Sequence, residues 1–209
     1  MNIGIIGTGN MGSGLGKLWA GADYRVLFGS RDPGKAKALA SSIGANTTSG
    51  TYAEAAKFGE AVLLAVPWAA VEESIKAAGS LEGKILIDCT NPMTPDYMTL
   101  VVGHTSSGAE EIARLAVGAK VVKAFNHIYA QIIHSSSQFG SQNATAFYCG
   151  DDGSAKQTVA GLMKEIGFEP VDAGPLQNAR YLEPLAELCV QLAYVQGMGT
   201  DQALKLIRR

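Results

Sequence analysis

The chain has 209 residues, a formal net charge of -2 at pH 7, 47% hydrophobic residues and 17% charged residues. That balance suits a well-buried globule, either one large domain or a domain with a small appendage. The absence of a basic block argues against nucleic acid or an acidic membrane surface as a partner. The longest apolar stretch, Ala61 to Val71, is too short to cross a bilayer and carries Pro67, so no membrane partner is expected. Cys89, Cys149 and Cys189 are widely spaced in apolar surroundings, as buried thiols in a reducing, cytoplasmic setting would be. No cysteine or histidine grouping has metal-ligand spacing.

In chain order, Asn2 to Ile6 reads as a buried first strand rather than a signal peptide, and a helix follows from about Met11 to Ala20. Tyr24 to Phe28 is a second strand, and a helix near Pro33 to Ile43 is capped by Asp32 and stopped by Gly44. A weak strand at Ala45 to Thr48 and a short helix at Tyr52 to Lys57 precede Ala61 to Val66, apolar throughout as a strand buried on both faces is. Pro67 begins a further helix, and Lys84 to Cys89 and Lys120 to Phe125 are the next strands. The alternation predicts an α/β fold of Rossmann type, a doubly wound parallel sheet over residues 1–131.

From about Gln131 the pattern changes. His134 to Gln142 reads as loop, Thr145 to Gly150 as strand, Ala155 to Ile166 as helix and Phe168 to Asp172 as a short strand. Tyr181 to Gln196 has helical apolar spacing with Pro184 as a start or kink, and Gly197-Met198-Gly199 ends it. Residues 132–209 are expected to form a small C-terminal α/β-helical domain that closes a cleft.

The chemistry lies in Gly7-Thr8-Gly9-Asn10-Met11-Gly12, a G-x-G-x-x-G set between a strand and a helix. Gly7 permits the sharp turn, Gly9 lets a pyrophosphate approach the backbone, and Gly12 allows the helix to pack on the strand. Amides at the helix start would face the phosphates. At the end of the second strand, where NAD-specific sites hold a carboxylate, stand Ser30 and Arg31, with Lys35 one turn on. These suit a 2'-phosphate, so NADP(H) is expected over NAD(H). The competing reading of Arg31 is an ordinary surface arginine. Val66, Pro67 and Trp68 would pass beside the nicotinamide, with Trp68 equally readable as a core aromatic. Asn91 and Asn126 are candidates to bond a carboxamide or ribose, or simply to hold turns. His127 is the candidate general acid, against the commoner reading of a structural histidine. No nucleophile triad or carboxylate pair is evident, which points away from hydrolysis and towards redox work, where the rings carry the reaction.

Three stretches, taken together, resemble the NADPH-dependent coenzyme F420 reductases. They are Gly7 to Gly12 with Gly29-Ser30-Arg31; Ala65 to Trp68; and Cys149 to Asp152 with Asp172 to Arg180 and Gly197 to Gly199. The resemblance implies hydride transfer between NADP(H) and the deazaflavin of coenzyme F420, stacked near Ala130, Met198 and Gly199. Arg180 is a candidate partner for the coenzyme's acidic tail. One segment departs from the family pattern: Asn126 to Gln131 stands where the archaeal pattern is H-T-I-P-A-A. Its V-K-A-F-N lead looks more like the reductase domains of membrane ferric reductases, which keeps a flavin or ferric-flavin acceptor as an alternative. An NADPH-binding sensor without catalysis is the distant alternative. The apolar C-terminal helix suits either a homodimer contact or a buried core.

Overall fold

The computed structural model describes residues 1–209. Its first half runs β1 (Asn2–Ile6), α1 (Asn10–Gly21), β2 (Arg25–Gly29), α2 (Pro33–Ile43), β3 (Thr47–Gly50), α3 (Tyr52–Phe58), β4 (Ala61–Leu64), α4 (Val71–Ala78) and β5 (Ile85–Asp88). A 3-10 turn at Trp68–Ala70 leads into α4. The second half runs α5 (Gly108–Leu115), β6 (Lys120–Ala124), α6 (Ala130–His134), β7 (Gln138–Phe139), β8 (Gln142–Asn143), β9 (Thr145–Gly150), α7 (Gly153–Glu165), β10 (Glu169–Asp172) and α8 (Ala179–Val190).

Eight strands form one sheet in the order β10-β9-β6-β5-β4-β1-β2-β3. Read from β3 to β6 this is the doubly wound order of dinucleotide-binding folds, whose direction reverses between β1 and β4. Every neighbouring pair is parallel except β6 with β9. The two-residue periodicity of the strands sorts the core into two layers. Ile3, Ile5, Leu63, Ile87 and Val122 face one with Trp19 and Phe125, while Ile6, Val62, Leu64, Leu86 and Val121 face the other with Ile75 and Ile112.

The sheet crosses the boundary expected near residue 131. Antiparallel pairing of β9 with β6 brings the later strands onto the same sheet, and α7 packs beside them. The tail returns to this edge, where Thr145 N donates to Leu204 O at 2.9 Å. Two local readings also change. The stretch taken as loop from His134 begins inside α6 and holds the β7–β8 hairpin, elements too short for a periodic signal. Pro184 neither starts nor breaks α8, which runs through it and passes into a π-helical turn at Gln191–Val195.

Candidate functional site

The glycine elbow follows from its backbone demands. Gly7 has φ of 112°, a left-handed conformation, and a Cβ there would lie 2.3 Å from the Ala65 carbonyl oxygen. A Cβ on Gly12 would lie 2.1 Å from the Gly7 carbonyl oxygen, so α1 closes on the elbow only with glycine here. Gly9 faces open space and caps α1 without any side-chain hydrogen bond; no acidic residue lies in the first turn. The first amides of α1 are thus left for an anion, as a pyrophosphate requires.

Beside this elbow a cavity of about 460 Å³ is lined by Gly7, Thr8 and Gly9 on one side and Ser30, Arg31 and Lys35 on the other, with Val66 and Pro67 closing the end. Thr8 Oγ1 donates to Ser30 Oγ at 3.5 Å across it. Asp32 also lines the cavity, where its Oδ1 accepts from Lys35 N at 3.0 Å and caps α2. Arg31 lies 3.8 Å from Glu73, both largely exposed, a pairing too weak to hold the guanidinium from a phosphate. Arg31 and Lys35 on one rim, with open backbone amides on the other, fit the 2'-phosphate and pyrophosphate of NADP(H).

A second cavity of about 380 Å³ continues from Gly9 past Asn10, Met11, Val66, Pro67 and Trp68 to Asn91 and Ala130. His134, at the end of α6, bonds the Asn10 carbonyl at 2.9 Å and so ties Ala130's helix to the elbow. Trp68 is half-buried; it packs close to Gly108 and also lines this passage. Cys89 also lines the passage, but burial pushes its thiol up to about 12 and leaves it unreactive at neutral pH.

Beyond Asn91 the passage meets a third cavity of about 470 Å³, sharing Asn91, Tyr97 and Val190 with the second. Asn126, His127 and Tyr129 form its floor; Ala186, Cys189 and Tyr194 come from α8 and its π turn. Phe125, fully buried with φ of 63°, makes the turn that delivers Asn126 and His127 here. Asn91 and Asn126 bond each other: Asn91 Nδ2 donates to Asn126 O at 2.7 Å and Asn126 Nδ2 to Asn91 Oδ1 at 2.9 Å. Burial holds the His127 imidazole down to about 4, so it is neutral at pH 7 and carries no spare proton as a general acid. Met198 and Gly199 line none of these three cavities, and Met198 is exposed. They end the chain's last helical turn, with Met198 N bonded to Leu192 O and Gly199 N to Ala193 O.

Behind the site lies a feature the sequence reading missed. Lys123, fully buried in β6, places Nζ 2.7 Å from Asp88, 2.8 Å from Glu183 and 2.8 Å from Thr90 O. Glu183 also accepts from Gly108 N at 2.8 Å and Ala109 N at 3.0 Å, so α8 is fastened to the start of α5 and to the sheet. The two carboxylates raise the Lys123 pKa against its burial. The available signal was a lysine within the otherwise apolar V-V-K-A-F strand. Arg180, considered for an acidic tail, is engaged by Glu110 at 2.7 and 2.9 Å and lines none of the three cavities.

The strand order and the glycine elbow define a Rossmann-type dinucleotide-binding fold, with Arg31 and Lys35 on the rim of its groove. Residues 2–92 match the family model for coenzyme F420-dependent NADP oxidoreductase. The chain is 31% identical over 208 residues to the F420-dependent NADP reductase of Methanothermobacter marburgensis, covering 92% of each. It belongs to this family and is an NADP-dependent oxidoreductase. A protein from Arthrobacter sp. FB24 assigned as an F420-dependent NADP reductase superposes with a TM-score of 0.89 at 29% identity over the whole of both chains. The chain is also 33% identical over 183 residues to metalloreductase STEAP3 of Rattus norvegicus, spanning 88% of itself but only 36% of that longer relative. No helix of the chain is long and apolar enough to cross a membrane.

Proposed function

We propose that the protein transfers a hydride between NADP(H) and the deazaflavin ring of coenzyme F420. The observation that carries this reading is a continuous path. The phosphate groove at Arg31 opens through the Trp68 passage into a cavity walled by Tyr97, Tyr129 and Tyr194, a surface suited to a second flat ring. When bound, NADP(H) supplies the hydride. The chain's residues bind and orient: Ser30, Arg31 and Lys35 hold the 2'-phosphate, Gly9 to Met11 the pyrophosphate, and Val66 to Trp68 with Ala130 confine the nicotinamide end. With His127 neutral, orientation and exclusion of water are the protein's contribution.

The likeness to the metalloreductase favours a second reading, reduction of a ferric chelate by way of a flavin. Anaerobic stopped-flow oxidation of NADPH by the purified protein, offered coenzyme F420, FMN, FAD and ferric citrate in separate runs, separates them. Rapid oxidation with F420 is expected. Oxidation with a flavin alone transfers the assignment to the second reading, and oxidation with none favours a sensor.

The exposed apolar residues Tyr181, Leu188, Tyr194 and Val195 support a homodimer formed through α8 and its π turn. Light scattering that returns a monomer mass at micromolar concentration would rule that out. Three buried thiols without disulfide partners support a reducing, cytoplasmic location, to be checked by fractionation of the source cells.

A further inference from the structure

Two residues that line the third cavity, Asn126 and His127, each keep one buried polar atom that the fold leaves unpaired. Asn126 Nδ2 donates to Asn91 Oδ1 at 2.9 Å and to the Leu182 carbonyl at 2.8 Å. A carbonyl only accepts, so the amide cannot be turned over, and Oδ1 is the end without a partner. Asn126 is only 6% exposed. A buried acceptor left unpaired is costly, and native interiors seldom keep one without a use. Beside it, His127 Nε2 lies 3.3 Å from the Thr145 carbonyl and 3.5 Å from Phe147 N, and its buried Nδ1 has no partner.

The rest of the wall narrows the ligand. Tyr129 spends its hydroxyl hydrogen on the Cys189 carbonyl at 2.5 Å. Asp96 accepts from Thr94 Oγ1 at 2.5 Å and from Met98 N at 3.2 Å. Neither lysine nor arginine lines the cavity. Asn126 Oδ1 thus offers an acceptor, and an occupant that pairs with it must bring a donor.

We propose that Asn126 determines specificity for the hydride acceptor, its Oδ1 receiving an N–H from the edge of a flat heteroaromatic ring. Resting on the function proposed above, that donor is the imide N–H, the sole N–H of the oxidised deazaflavin. Asn91 and Leu182 hold the amide in place, so the contact is built in advance of binding.

The probes are the deazaflavin ring with its ribityl chain and the same compound methylated on the imide nitrogen. Each is titrated by fluorescence into NADP+-loaded protein. Wild-type protein should bind the methylated ring about tenfold more weakly. In Asn126→Ala the two rings should bind within twofold of each other, with folding verified by circular dichroism. Asn126→Leu, closer in shape, serves the same purpose if truncation unfolds the chain. Equal binding of the two rings by wild type overturns the assignment, as does a methyl penalty undiminished in the variants, which would mark a mere clash. Failure of wild-type protein to bind either ring while it binds NADP+ overturns the functional reading itself, and this assignment with it.

Discussion

Arg31 is the residue on which cofactor choice turns. It stands on the rim of the phosphate groove with Lys35, and its one protein partner, Glu73, is 3.8 Å away and solvent-exposed. Replacing it by glutamate puts a like charge where the 2'-phosphate belongs. Arg31→Glu should weaken NADPH binding by about 10- to 100-fold and NADH binding by less than about threefold. Calorimetric titration of both nucleotides checks this, and an equal loss for both would remove Arg31 from phosphate recognition. The elbow glycines, Asp32 as a helix cap and Ser30-Arg31 at the strand end were all readable beforehand, because each depends on its immediate neighbours. Phe125 was not. Nothing local marks a phenylalanine for a left-handed backbone; the aromatic cluster with Trp19 and Phe168 holds it there.

At the level of elements, α8 supplies one wall of the acceptor cavity, and its place is set by charge buried behind it. Lys123 joins Asp88 from β5 to Glu183 from α8, and Glu183 in turn caps α5. Removing the lysine leaves two carboxylates in the core without their cation. Lys123→Met should lower unfolding free energy by about 3–5 kcal/mol, measured by urea denaturation. A loss below about 1 kcal/mol would mean that the network does not hold α8. Any folded fraction should show a raised KM for the acceptor with little change in NADPH affinity, since Ala186, Cys189 and Val190 ride on α8 while the nucleotide groove does not. The helix itself was evident from its apolar spacing. Its continuity through Pro184 was not, because packing and the bonds at Glu183 outweigh one missing backbone hydrogen bond.

At the scale of the molecule, stability should carry the mark of His127. Burial holds its imidazole down to about 4, against an ordinary value of 6.5. Unfolding returns the ring to water, so between those values the unfolded chain takes up a proton that the folded chain refuses. The contribution is complete above about pH 6.5 and is lost as the pH falls towards 4, up to about 3 kcal/mol. His127→Leu removes that dependence. The difference in urea stability between wild type and variant should therefore shrink by about 2–3 kcal/mol between pH 7 and pH 4.5. A constant difference across that range would show that the histidine is not titrating on unfolding.

The alternation of apolar runs and helices and the glycine elbow were enough, unaided, to specify a doubly wound nucleotide-binding sheet, and Ser30-Arg31 in place of a carboxylate at the end of β2 pointed to NADP(H). These are near-neighbour properties: side-chain period, turn conformation and charge within a few residues. Tertiary structure decided the rest. It carried β9 and β10 onto the main sheet, set Asn91 against Asn126, engaged Arg180 with Glu110 and left Met198 outside the cavities. Each of those depends on pairing between residues far apart in the chain, where strand order and burial choose the partner and no local pattern records the choice.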